Sequence, residues 1–319
     1  MTGPGGAAGR LLVVGDVVTD VVAVHLEPLA PATDTPARIR TMPGGAGANA
    51  ACWAARQGNA GGVTGGTADG TPGGALEVAL LARVGAESAR WHEQALLAAG
   101  VRPLLVTDPV EPTGTVVALV GKDAERTFLT DSGAVLRLST ADWNPEFLDG
   151  VAHLHLSGYL FFGDTSRELA RLALRAARER GVPVSVDPAS AGFLATLGVA
   201  RFLDAVAGAD ALLPNEDEAR MLAGLPATAP AARAAAELSL RVPLVVVTRG
   251  PAGALVAAGG RVCAEVAAEP ALAVDSTGAG DAFTGGFLAA RLAGADPVAA
   301  ARAGCRAGAV AVTRLGGRP

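Results

Sequence analysis

The sequence predicts an α/β fold: a doubly wound, mostly parallel sheet with helices on both faces, and a small β-sheet beside it acting as a lid. Three observations carry this prediction. From residue 76 onward, apolar strand-like runs alternate with helical patterns. Other strand-like runs follow one another with only turn residues between them, which suits a small antiparallel sheet. The chain has 319 residues, 50% hydrophobic and 18% charged, enough for one large core with a small appendage.

Leu11–Gly15 reads as a buried strand ending at a glycine. Val21–Leu26, Ala37–Thr41, Leu104–Thr107 and Thr115–Val120 read as short strands without intervening helices. They are assigned to the lid, contributed from about residues 16–42 and 101–121 of a single domain spanning 10–319. Gly47–Gln57 reads as an Ala-rich helix with Asn49 near its start and Gly58 at its end. Strand Glu77–Val84 precedes helix Ser88–Ala99, and strand Ala152–Ser157 precedes helix Ser166–Arg180. Strand Val184–Val186 ends at Asp187-Pro188. Strand Ala211–Leu213 leads into helix Asn215–Ala223, and Leu244–Thr248 is followed by a hairpin partner, Ala254–Ala257. Helices Ala282–Leu292 and Pro297–Thr313 complete the pattern. Residues 59–74 form a Gly-rich insert that buries too little apolar surface to offset its ordering, and are expected to be a flexible surface loop. The insert leaves a helix and enters a strand, at the sheet edge opposite the one where ligands bind. Met1–Gly9 is expected to fray.

Net charge is −5, so bulk attraction to nucleic acid or an anionic membrane is not expected. Aromatic residues make up 4%, too few for single-strand stacking platforms. Cys52, Cys263 and Cys305 lack metal-ligand spacing and read as free thiols in a reducing compartment. His25, His92, His153 and His155 show no triad or metal spacing. No signal peptide or membrane span is evident, and a cytoplasmic location is expected.

The run Val274-Asp275-Ser276-Thr277-Gly278-Ala279-Gly280-Asp281-Ala282-Phe283 carries most of the chemistry. Its small residues let backbone N–H groups crowd around an anion, and a helix N-terminus adds partial positive charge. Asp281 places a carboxylate at the same point. Donors for a phosphate beside an acceptor for a hydroxyl proton suggest phosphoryl transfer to an alcohol. The plainer reading of Asp281 is a helix cap worth about 1 kcal/mol. Gly285-Gly286 costs about 1 kcal/mol per glycine inside a helix, which calls for close approach of a ligand, another backbone or a packed helix.

In Pro43-Gly44-Gly45-Ala46-Gly47-Ala48-Asn49 the glycines allow backbone contact with a polyol and Asn49 offers an amide to hydroxyls. Gly45-x-Gly47-x-x-Ala50 imitates a dinucleotide fingerprint, but the first strand lies about thirty residues upstream, which disfavours a dehydrogenase. Asp16 and Asp20 follow the first strand and can accept hydrogen bonds from neighbouring hydroxyls, or can be exposed turn residues. Asn215 and Glu218, three apart, read either as helix capping or as a magnesium-water and phosphate site. Thr248-Arg249-Gly250-Pro251-Ala252-Gly253 is a candidate nucleotide-phosphate turn. No P-loop motif occurs in the sequence.

These motifs, in this order, resemble the ribokinase family, the phosphofructokinase-B type of carbohydrate kinase, from Leu11 to Pro319. The matching segments are Gly44-Gly45-Ala46-Gly47-Ala48-Asn49, Pro112-Thr113-Gly114-Thr115, Glu125-Arg126-Thr127-Phe128, Leu156-Ser157-Gly158-Tyr159, Asn215-Glu216-Asp217-Glu218, Asp275 to Asp281 and Ala311-Val312-Thr313-Arg314-Leu315-Gly316. The resemblance implies Asp281 as catalytic base, with Gly278, Ala279 and Gly280 as the anion hole. It implies sugar contacts from Asp20, Gly44, Gly45, Asn49 and Asp281. ATP contacts are implied for Asn215, Thr248, Gly250, Gly253 and Gly280, with Cys305 near the adenine. Glu218 is implied at the magnesium site. Asp275, Thr277, Ala311, Arg314 and Gly316 are implied around a monovalent cation, potassium. The family departs from this chain at Ala46, where it often has a basic or polar residue. The expected activity is ATP- and Mg2+-dependent phosphorylation of a sugar, with a homodimer through the lid. The alternatives are a nucleoside kinase, for which Phe128, Phe161, Phe162 and Phe193 are stacking or core candidates, and a catalytically silent sugar-binding regulator.

Overall fold

The computed structural model describes residues 9–61, 76–121 and 126–319. The expected frayed segment before Gly9, most of the Gly-rich insert and Glu125 lie outside them. Strand β1 (Arg10–Val14) has four fully buried residues, Leu11 to Val14. Leu12 and Val14 join one apolar layer and Leu11 and Val13 the other, so this strand is covered on both faces. Strands β2 (Val18–His25) and β3 (Ala37–Gly44) leave as an antiparallel pair. Helix α1 (Ala46–Gly61) follows. Its first amides, Ala46 N and Gly47 N, donate to the Asp16 carboxylate at 2.7 and 3.0 Å, a cap supplied from β1's exit.

Strand β4 (Glu77–Gly85), helix α2 (Ala89–Ala98) and strand β5 (Val101–Asp108) form a β–α–β unit. Strands β6 (Thr113–Val120) and β7 (Arg126–Gly133) return to the lid. Then come β8 (Val151–Ser157), α3 (Asp164–Glu179), β9 (Val184–Asp187), α4 (Ala191–Leu197), α5 (Val199–Ala205) and β10 (Ala211–Leu212). Helices α6 (Glu216–Leu222) and α7 (Ala231–Leu238) precede β11 (Leu244–Thr248). Strands β12 (Ala254–Ala258) and β13 (Arg261–Val266) add an antiparallel edge, and α8 (Ala279–Leu292) and α9 (Pro297–Ala311) pack against the sheet.

Among the described residues the main sheet has nine strands in the order β13-β12-β11-β10-β9-β8-β1-β4-β5, and the lid has four in the order β3-β2-β6-β7. The strand order reverses at β1. Its C-terminal end therefore opens a crevice between β1 and β8, where open α/β sheets bind ligands.

The lid differs from the sequence expectation in one strand. Leu104–Thr107 belongs to β5 at the edge of the main sheet, paired with β4. Leu104 and Val106 pack on one apolar layer and Leu105 on the other, so both faces are needed for the core. The fourth lid strand is β7, whose Phe128 and Leu129 are both exposed, so it lacks a buried-face alternation. Helix α8 also begins three residues earlier than expected, which puts Asp281 inside its first turn.

The two glycines of α8 are explained by helix packing on opposite sides. A Cβ at Gly285 would meet Ala50 O at 2.5 Å and Trp53 Cβ at 2.7 Å on α1. A Cβ at Gly286 would meet Ala307 Cβ at 2.8 Å on α9. Gly285→Ala should therefore destabilise the fold by about 1–3 kcal/mol despite its better helix propensity. A lowered urea midpoint at unchanged slope is the expected result; a raised midpoint would refute close packing as the reason for this glycine.

Candidate active site

A cavity of about 360 Å³ opens at the C-terminal ends of the main strands, under the lid. Asp16 follows β1, Tyr159 follows β8, Asp187 ends β9, Leu213 follows β10 and Thr248 ends β11, and all line it. The lid contributes Val18, Asp20, Val116, Phe128, Thr130 and Ser132.

Two helix N-termini meet in this cavity. Gly45, at φ +102°, turns the chain from the lid into α1, which brings Gly45, Ala46 and Asn49 to the wall. Gly278, at φ +72° and ψ 7°, turns the chain into α8. A Cβ on Gly278 would also overlap the backbone of Gly317. The N–H groups of Gly280 and Asp281 lie in the first turn of α8, where the helix itself supplies no acceptor, and no side chain caps them. Asn49 Nδ2 donates to Asp281 Oδ2 at 2.8 Å, joining residues 232 positions apart. A carboxylate, an amide donor and two helix-terminal N–H groups thus share one small volume. They can hold an anion and accept a proton beside it.

The cavity is crowded with acids. Burial pushes Asp20 up to about 6; Asp16 and Asp275 add to this and Arg318 opposes it. Burial pushes Asp187 up to about 6, against hydrogen bonds from Ala189 N and Thr284 Oγ1. Burial, then the Asp187 charge, pushes Glu218 up to about 8. Asp281 is raised well above the ordinary carboxylate range, first by burial and then by Asp187, Asp16 and Asp20, while the Asn49 hydrogen bond works the other way. The Tyr159 phenol is raised by burial and by Asp16, Asp281 and Asp187, so it stays a neutral donor.

The model of the pfkB family carbohydrate kinases matches residues 8–319. The chain belongs to the pfkB family. It is 32% identical over 288 residues to a fructokinase of Klebsiella pneumoniae, covering 88% of this chain and 84% of that one. It is 28% identical over 285 residues to a ribokinase of Haemophilus influenzae, covering 86% and 82%. A putative ribokinase II of Escherichia coli, solved with ATP and Mg2+, shares the fold at a TM-score of 0.78 and 24% identity, over 97% of this chain and 94% of that one.

In this pfkB kinase, Asp20, Gly45, Asn49, Asn215, Thr248, Glu218, Thr277, Gly278, Gly280 and Asp281 all line the cavity. Gly44 backs it, pressed against the Asp20 carboxylate. Asn215 and Glu218 form a reciprocal cap: Asn215 accepts from Glu218 N at 2.9 Å, and Glu218 accepts from Asn215 N at 2.9 Å and Nδ2 at 2.7 Å. Capping and cavity lining are therefore one arrangement. The Asp275 carboxylate is buried and accepts from Thr277 N at 2.7 Å and Gly316 N at 3.0 Å. Asp275 N bonds Val312 O, and Ala311 O accepts from Arg314 N, so these loops meet beside α8. Ala279 N bonds Ser276 O at 3.3 Å in the turn.

Three expected nucleotide contacts sit outside the cavity lining. Gly250 and Gly253 shape the β11–β12 turn, and a Cβ at Gly253 would strike Val266 O. Cys305 packs in the apolar layer with Phe283 and Phe287. Phe161 is core, stacked edge-on to Phe202, whereas Phe128, Phe193 and Tyr159 reach the cavity. The sequence reading missed Asp187, Tyr159 and Thr284 as lining residues. An acid ending a parallel strand was the available signal for Asp187.

The raised carboxylates give a pH dependence of definite sign. Asp20, Asp187 and Glu218 bind protons more tightly folded than unfolded, from 3.8 to about 6 and from 4.5 to about 8. Their stabilisation is complete at low pH and is lost as pH rises through those values. His153 and His155, lowered by burial to about 4 and about 3, act in the opposite sense, but only below their unfolded value of 6.5. The ligand-free protein should therefore lose thermal stability between about pH 6.5 and 8.5, and Glu218→Gln should remove part of that loss. A melting temperature that rises across this interval in both proteins would contradict it.

Proposed function

We propose that this carbohydrate kinase transfers the γ-phosphate of ATP to a hydroxyl of a neutral sugar or sugar-like polyol held between lid and sheet. The observation that carries this reading is the Asn49–Asp281 contact at 2.8 Å beside the uncapped Gly280 and Asp281 amides of α8. The attacking hydroxyl gives its proton to Asp281, and Asn49 orients that carboxylate. The N–H groups of Gly280 and Asp281 take up charge on the phosphoryl group as it transfers. Burial raises the proton affinity of Asp281 and so makes it a better base than a solvated aspartate.

Among the described residues, no three His, Cys, Asp or Glu side chains converge as a metal cage. Asp187 and Glu218 are nonetheless buried carboxylates whose raised proton affinities report a need for positive charge. They fit a magnesium ion held largely by the nucleotide, directly or through water. Such an ion neutralises phosphate charge. The meeting of the Asp275, Thr277, Ala311, Arg314 and Gly316 segments supports a monovalent cation tuning the α8 turn.

Among the described residues, the cavity lining holds five carboxylates, Asp16, Asp20, Asp187, Glu218 and Asp281, and no lysine or arginine. That balance favours an uncharged acceptor over one already carrying phosphate or carboxylate. The fructokinase and ribokinase relatives make a free ketohexose or pentose the first acceptors to test. The wall of Phe128, Phe193 and Tyr159 supports a nucleoside as the second reading. A catalytically silent regulator has no need of the Asn49–Asp281 pair. Ile39, Phe128 and Leu129, exposed on the lid, support a homodimer through it; a monomeric mass by light scattering at micromolar concentration would end that expectation.

A panel of pentoses, ketohexoses, nucleosides and sugar phosphates, read as ADP release from ATP, should find its substrate among the uncharged compounds. Asp281→Asn should lower kcat roughly 10²–10⁴-fold with ATP affinity retained. Normal turnover in that variant, or preference for a sugar phosphate, would overturn the reading.

A further inference from the structure

The segment after α9 runs behind both catalytic loops. Gly316 N donates to Asp275 at 3.0 Å, and Trp53 Nε1, on α1, donates to Gly317 O at 2.9 Å. A Cβ on Gly317 would overlap the Asn49 amide, so this backbone lies directly against the residue that holds Asp281. Arg318 then reaches the turn on the lid side, where its Nη2 donates to Gly44 O at 3.0 Å. Its Nε and Nη1 are buried without a hydrogen-bond partner, and among the described residues no acid stands within ion-pair distance.

A buried, unpaired guanidinium is costly and is held where its charge is felt by others. Its surroundings are acidic. Asp20 on the lid, Asp16 after β1, Asp275 before α8 and Asp281 on α8 surround the sugar side, and Arg318 is the cation acting on Asp20. Ionised, Asp20 offers both oxygens as acceptors to two neighbouring hydroxyls, whereas protonation turns one of them into a donor. A Cβ added to Gly44 would overlap the Asp20 carboxylate, so this carboxylate lies close against the Gly44 backbone and a group that fixes Gly44 also bears on Asp20.

We propose that Arg318 is a positioning residue for acceptor binding: it braces the Gly44 turn and supplies the positive charge that keeps Asp20 available to the sugar hydroxyls. This rests on the sugar-kinase reading above. Arg318 itself is not among the residues that line the cavity.

Two near-isosteric variants test it, Arg318→Lys and Arg318→Gln, assayed with the acceptor identified from the panel. The charge-retaining Lys variant should stay within about threefold of the wild-type acceptor KM, and the neutral Gln variant should raise that KM about tenfold or more. In both, kcat and the KM for ATP should change less than about twofold. The Gln variant's acceptor KM should recover as pH rises and Asp20 ionises. Wild-type behaviour of the Gln variant, equal impairment of both, or a loss falling on kcat or ATP overturns the proposal. A wild-type enzyme that phosphorylates nothing in the panel sinks the sugar-kinase reading itself and this inference with it.

Discussion

The close contact between α1 and α8 is the constraint on which the site depends. Neither helix could approach the other so nearly with a side chain at position 285, because Ala50 O and Trp53 Cβ already occupy that space. The contact brings two helix N-termini to one point. It also sets Asn49 against Asp281, a pairing that no local sequence preference could produce across 232 residues. Small residues do this work in both helices. They cost helix propensity and gain backbone proximity, and the gain is worth most where two polar helix ends must converge.

That convergence creates an electrostatic problem which the chemistry then uses. Asp16 satisfies the first amides of α1, so its charge is spent inside the protein. The Gly280 and Asp281 amides at the start of α8 have no side-chain cap. Asp20, Asp187, Glu218 and Asp281 are crowded and desolvated, and all four hold protons more tightly than in water. Such a site is less stable empty than with counter-charge in place.

Much of this was legible in the linear chain. The Gly278–Asp281 turn, the Gly44–Asn49 turn and the Asn215–Glu218 cap were marked by residue types that suit only a few backbone geometries. The main sheet followed from apolar runs of strand length alternating with helical patterns. Less legible was β5, whose run resembles a lid strand until its neighbours are known, because its two faces are only partly buried, one against each apolar layer. Strand β7 was obscured by polar residues and by two adjacent exposed apolar ones. Asp187 went unnoticed because a single acid at a strand end becomes informative only when the strand's place in the sheet is known. Cys305 lies in the apolar layer beside Phe283 and Phe287 and not in the cavity lining, a position that its surroundings in sequence do not reveal.

The sequence alone determined the fold class, the elements that carry chemistry and the residue types at the two glycine turns, because these depend on periodicity and on backbone freedom. Tertiary structure decided which of those elements meet. It made Gly285 and Gly286 packing contacts, turned the Asp275 carboxylate onto two amides, and gathered five acids into one cavity. Those outcomes depend on distances between segments far apart in the chain, and such distances exist only after the sheet has set its strand order and the helices have packed.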